Sequence, residues 1–165
     1  MSATWVYYTF PMEGLSGSIV VDIDALRSGA LHDKRFLFTV DLALRFPGAT
    51  GQSTPAENDT LYRIEAALEH RLAARSRASY VGRYTLDGHR VFCFYMPLPS
   101  MADAAVDDVM HAFPDYRAFT AALEDADWAV YTTFLYPSTR ELEAIVERPA
   151  APPVEPSEIS VAVPA

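Results

Sequence analysis

The chain has 165 residues, half of them hydrophobic, and a formal net charge of −9. That length suits one domain with its own core, and the hydrophobic share separates it from disordered chains. The acidic balance repels a phosphate backbone, the single cysteine (Cys93) excludes an internal disulfide framework or a multi-cysteine zinc site, and no apolar run reaches the roughly 18 residues of a membrane helix. Residues 1–14, MSATWVYYTFPMEG, lack the basic start of a secretion signal, so a cytoplasmic protein is expected.

Thr4 to Phe10 is aromatic and β-branched and reads as a strand, with MEGLSG as the turn after it and Ser18 to Ile23 as a second strand. DALRSGALHDK reads as a loop. Arg35 to Phe46 reads as a long third strand. Phe36, Phe38, Val40, Leu42 and Leu44 make one apolar face, and the other face is mixed, which predicts a sheet covered on one side. After a Gly-rich loop, TPAE predicts a helix start: Thr54 as N-cap, Pro55 at the first helical position and Glu57 closing a capping box. The helix is expected to run to about Arg77 and to bury Leu61, Ile64, Leu68 and Leu72.

Two β-rich runs then flank Asp87-Gly88, a strong hairpin signal. Ser100 is expected to cap a second helix, with Asp103 in the capping-box position, an apolar stripe of Ala102, Val106, Val109, Met110 and Phe113, and Pro114 as its end. Tyr116 to Leu123 and Trp128 to Tyr136 read as strands, and Ser138 as the cap of a short last helix, TRELEAIVE. The expected fold is α+β: a ferredoxin-like β-α-β-β-α-β sandwich with extra N-terminal and C-terminal strands. Residues 1–148 would form this domain and residues 149–165 a loose Pro-rich tail.

Chemistry is harder to place. GATGQST, Gly48 to Thr54, precedes a helix start but lacks the lysine of a phosphate-binding loop, and a capped helix is the simpler reading. Asp103, Asp107 and His111 share a helix face that should point to water, Cys93 sits between Phe92 and Phe94 as a packed thiol, and His32, His70, His89 and His111 are scattered. Arg71, Arg75 and Arg77 form one basic cluster at a helix end, read as a solvated face and not a nucleic-acid site. No catalytic residue, metal or cofactor is therefore assigned.

Trp5 and Tyr8, the E-x-x-x-L-x-x-I-E helix (Glu57, Leu61, Ile64, Glu65), YVGRYTLDGHRVFCFY (Tyr80 to Tyr95) and D-x-x-W-x-x-Y-x-x-F-L-Y-P-S (Asp125 to Ser138) together resemble the bacterial domain-of-unknown-function family 695. The last motif also resembles the opening of the B-type regulators of RNase E activity, small acidic ferredoxin-like proteins that bind and restrain a ribonuclease. That resemblance implies a regulatory module of an RNA-processing enzyme, and no catalytic residues come with either family.

The expected function is thus a non-enzymatic protein-binding or regulatory module. Its protein partner would carry a basic surface, with no direct nucleic-acid or membrane contact. Its interaction surface would draw on Trp128, Tyr131 and Tyr136, since aromatic residues with polar tips suit interfaces. The alternative is a small-ligand-binding protein or enzyme whose pocket uses Arg83, Arg90 and Tyr95 to grip an anion. A third arrangement is a structural module that dimerises through an edge strand.

Overall fold

A computed structural model describes residues 3–147, so the expected tail at 149–165 lies outside the described residues. The fold is α+β. Strands β1 (Trp5–Met12), β2 (Leu15–Asp22), β3 (Phe36–Ala43), β4 (Ser79–Leu86), β5 (His89–Met96) and β6 (Ala118–Glu124) form one six-stranded sheet in the order β1-β2-β4-β5-β3-β6. Every neighbouring pair is antiparallel. Helices α1 (Pro55–Ser76), α2 (Ala102–Met110) and α3 (Thr139–Glu147) complete it. The β4–β5 turn forms as Asp87-Gly88 dictates. Both residues take positive φ, 49° and 77°, which is the backbone twist a two-residue hairpin requires.

Helices α1 and α2 pack together on one face of the sheet. Leu61, Ile64, Leu68 and Leu72 are fully buried there against Phe38, Val40, Leu42, Phe92 and Phe94. Each such side chain contributes roughly 1.5–3 kcal/mol by leaving water. Helix α1 ends at Arg77, which adopts the left-handed conformation and donates its amide to the Leu72 carbonyl. Its start differs from expectation. Thr54 has the extended backbone of an N-cap, but its hydroxyl donates to the Phe46 carbonyl (2.8 Å) and caps nothing. Glu57 leaves the capping box as well: its buried carboxylate accepts from the amides of Arg45 (2.7 Å) and Phe46 (2.9 Å) and the Tyr116 hydroxyl (2.6 Å). The strand end offered two unsatisfied amides, and the carboxylate serves them instead of the helix.

Helix α2 likewise begins without a side-chain cap, after Met101, and Asp103 accepts from the Thr120 hydroxyl at 2.6 Å. The capping box that does form is at α3. There the Glu141 amide donates to Ser138 Oγ (3.2 Å) and the Ser138 amide to Glu141 Oε1 (3.0 Å).

The sheet is covered on both faces, not one. The second face carries Ile19, Val21, Leu37, Val81, Val91, Cys93 and Tyr95, all buried. Ala25 and Leu31 of the loop after β2, with Tyr131 and Leu135, close over them. The segment Trp128 to Tyr136 is therefore not the expected strand. Ala129 and Val130 are helical, Tyr131–Leu135 is a wide helical turn, and the Tyr136 amide donates to the Tyr131 carbonyl at 2.8 Å. Helical spacing puts Tyr131 and Leu135 on the same side, toward the sheet, whereas a strand would also have buried Thr133. Among the described residues, no helix is long and apolar enough to cross a membrane.

Candidate functional site

Arg83 and Arg90 come together beneath α1. Arg83 faces Phe92 and Thr85 faces Arg90 across the β4–β5 ladder, so both arginines project from the same side of the sheet. They are 3% and 4% exposed. Glu65 of α1 meets Arg83 from above, accepting from its Nη1 at 2.7 and 2.6 Å and also from the Tyr80 hydroxyl. The guanidinium carbon of Arg83 lies 5.4 Å from the Tyr62 ring centroid. Burial alone would push the Arg83 pKa down, but the Glu65 charge and hydrogen bonds outweigh it and hold the group charged.

Among the described residues no carboxylate forms an ion pair with Arg90, and the Glu65 charge acts on it only from a distance. Its Nε donates to Thr85 Oγ1 (2.9 Å) and its Nη2 to Ser53 Oγ (2.9 Å), while Nη1 is buried without a partner. Burial first, and then the neighbouring Arg83, push its pKa down to about 10. Tyr95 does not join the two arginines. It projects from the opposite face of the sheet, into the second core.

On that second face Tyr95 anchors the 128–136 segment. Its hydroxyl donates to Asp125 Oδ2 (2.6 Å) and accepts from the Tyr131 amide (3.2 Å). Burial pushes the Tyr95 hydroxyl pKa up, and the bond it donates to Asp125 adds to this. Asp125 also accepts from the amides of Ala129 (2.9 Å) and Val130 (3.1 Å), so it caps the helical turn. Burial pushes the Asp125 carboxyl up, but these three bonds outweigh it and leave it below the usual carboxylate range. Trp128 sits at φ 54°, a left-handed conformation uncommon for a bulky residue, and donates its indole N–H to the Lys34 carbonyl (2.8 Å). The Tyr131 hydroxyl donates to the Asp22 carbonyl (2.6 Å), and the Tyr8 hydroxyl to the Leu135 carbonyl (2.7 Å). The aromatic segment is thus fastened by the polar tips of Trp128 and Tyr131 to Lys34 and Asp22, and by those of Tyr8 and Tyr95 to its own backbone.

What it leaves open is a shallow groove of about 450 Å³ lined by Ile23, Leu26, Arg27, Tyr131, Thr132 and Tyr136. Tyr131 is buried at its floor and Tyr136 half-buried at its side, with Leu26 43% exposed at the rim. Trp128, the remaining residue of the expected surface, is half-buried and lies outside this lining. Neither Ile23 nor Leu26 signalled a groove in the sequence: Ile23 read as the end of the second strand, though that strand stops at Asp22, and Leu26 lies in a loop without a period. Glu65 could have been found: it lies four residues after Leu61 and three before Leu68, on the buried stripe of α1.

The other candidates are occupied structurally. Cys93 is buried, which pushes its thiol up to about 12 and removes the thiolate that nucleophilic chemistry needs. The loop 48–54 braces the sheet: Gln52 donates to the Ser16 and Thr85 carbonyls and accepts from Ser18, and the Gly51 carbonyl accepts the Gly88 amide. Arg71 and Arg75 both pair with Asp108 of α2 at 3.2 Å. His89 Nδ1 lies 2.9 Å from Asp41, and His111 Nδ1 lies 3.1 Å from the Asp107 carbonyl. Among the described residues, no three His, Cys, Asp or Glu side chains converge to hold a metal.

A model of a family of unknown function (DUF695) matches residues 3–136. No curated protein and no solved structure matches the chain.

Proposed function

The chain belongs to that family, and we propose that it acts as a non-enzymatic protein-binding module. It would receive an apolar side chain of its partner in the groove between the loop after β2 and the Tyr131–Leu135 turn. The observation that carries the proposal is the groove itself: its lining is mostly apolar, its rim exposes Leu26, and its walls are held in place by the hydrogen bonds of Asp125, Tyr95 and Tyr131. A preorganised apolar recess with rigid aromatic walls suits a protein contact better than a reaction. With a chain charge of −9, a basic partner surface would be attracted to its surroundings.

Strands β4, β5, β3 and β6 stand side by side in that order, with α1 and α2 on one face. This order supports a ferredoxin-like reading of the core, extended by the β1–β2 hairpin. Fold likeness to small regulators is an analogy, and the residues of the regulator-like motif, Asp125, Trp128 and Tyr131, serve the chain's own second core. An RNA-processing enzyme therefore stands as one class of partner among several.

The test places a photo-crosslinking amino acid at Leu26 or Thr132 of the full chain, in cells of its own source, with Leu98 as a distant control. The proposal expects one protein to be captured from both groove positions, not from Leu98, and to be lost on Tyr136→Glu. Adducts of equal pattern at all three positions would refute it.

A further inference from the structure

The two edges of the sheet are unlike. The β1 edge carries Pro11, and α3 packs against that strand. Both devices blunt an edge. The β6 edge lacks a proline: its sequence, AFTAALE, holds one charge, and although α2 touches the strand on one face through the Thr120–Asp103 bond, all but Ala118 are exposed. Phe119 and Leu123 are 55% and 54% exposed. They project on the same side of the sheet, since Phe119 lies opposite Asp41 and Leu123 opposite Leu37 on β3. The β3–β6 ladder continues into the Asp125 amide, which donates to the Arg35 carbonyl at 2.7 Å. By antiparallel alternation the odd-numbered residues of β6 are bonded to β3. Ala118, Thr120, Ala122 and Glu124 then turn their amides and carbonyls to the open side.

We propose that this edge pairs with the same edge of a second copy, antiparallel, about a two-fold axis at Ala121. The contact would join two six-stranded sheets edge to edge. A two-fold axis perpendicular to the sheet keeps each residue on its own face, so it must pass through a residue and not between two. Centred on Ala121, it sets Phe119 of each copy against Leu123 of the other, in the closely spaced non-hydrogen-bonded positions. Ala118 then bonds with Glu124 and Thr120 with Ala122, which are the residues whose backbone groups are free. Centred on Thr120 instead, it would set Arg117 against Leu123 and leave Phe119 only Ala121. Charge agrees with the first register. Among the described residues Arg117 pairs with no carboxylate, its guanidinium lying over the Phe119 ring. Antiparallel pairing brings it beside the negative charges of Asp125 and Glu124 of the other copy, whose carboxylates also bond Tyr95, the Ala129 and Val130 amides and Arg35 of their own chain.

One strand edge is smaller than a standard interface, so the dimer is a concentration-dependent equilibrium. Because each copy carries −9, added salt screens their repulsion and tightens the dimer. Docking of the groove on a basic partner would respond to salt in the opposite sense, so failure of one proposal is distinguishable from failure of the other. The experiment is sedimentation equilibrium of the full chain across salt concentrations, with cross-linking. Ala121→Cys should form a disulfide-linked dimer under mild oxidation, because directly opposed non-hydrogen-bonded residues have Cα atoms about 4.5 Å apart. Thr120→Cys, offset across the axis, should not. Phe119→Lys with Leu123→Lys should weaken the dimer by about tenfold or more, through lost apolar cover and like charges brought together. Both residues are exposed, and an unchanged melting temperature at low concentration would show that the fold is intact. A chain that stays monomeric up to about 1 mM, the weak end of association constants, overturns the proposal. So does a dimer that cross-links through Thr120→Cys and not through Ala121→Cys. Other occupants of the edge, a different protein or residues 149–165 of the same chain, leave the purified chain monomeric and overturn it too.

Discussion

Replacing Arg83 with Met removes the cation from the Glu65–Arg83 pair and keeps an unbranched stem in the same space. The pair is buried, with side chains 4% and 2% exposed, so the orphaned Glu65 cannot regain water without opening α1 from the sheet. Arg90 cannot substitute, because Thr85 and Ser53 hold its guanidinium at 2.9 Å each. Breaking such a pair from one side costs about 3–5 kcal/mol. For a chain of this size 1 kcal/mol is about 2–4 °C, so the melting temperature should fall by about 6–20 °C. Urea unfolding followed by tryptophan fluorescence gives the free energy, and the slope checks that the transition remains two-state. The double variant Glu65→Gln/Arg83→Met removes the buried charge but leaves an acceptor for Tyr80, so it should recover at least half of the loss. An Arg83→Met variant within about 1 kcal/mol of wild type would refute the reasoning. A double variant no more stable than Arg83→Met would refute it equally, since the penalty would then not come from the stranded charge.

Asp125→Ala removes the cap of the helical turn and the Tyr95 acceptor, and should cost about 1–3 kcal/mol, with hydrogen exchange fastest at the amides of residues 129–135. Asp125 is held below the usual carboxylate range, so its contribution is full above the unfolded pKa and is lost as pH falls through the folded one. Asp125→Asn should flatten that acid limb, and an unchanged limb would count against the cap. Gly51 has φ +88°, and a Cβ there would lie 2.8 Å from Asp87 Cα and N. Gly51→Ala should therefore cost about 2–3 kcal/mol, and a loss below 0.5 kcal/mol on the same scale would show that the loop can yield. The Cys93 thiol should react with a thiol reagent at pH 8 no faster than the chain unfolds. A reaction complete within seconds in native buffer would contradict its burial.

Sequence by itself determined the elements whose signals are local. The Asp87-Gly88 turn needs only two residues that tolerate positive φ, the stripe Leu61, Ile64, Leu68 and Leu72 needs only its own helical period, and the Ser138–Glu141 box needs only residues three apart. Where a local signal competed with a distant partner, the distant partner prevailed. Glu57 fits a capping box but lies closer in energy to two strand-end amides and a tyrosine from residue 116. Trp128 to Tyr136 fits a strand by alternation and a helix by the spacing of Tyr131 and Leu135, and the choice rests on Tyr8, Tyr95 and Asp22, all far away in the chain. The groove beside Tyr131 and the pairing of Glu65 with Arg83 were decided the same way. Each is a juxtaposition of segments that no window of sequence contains, because polar groups taken out of water must be satisfied by whatever the folded chain brings within reach.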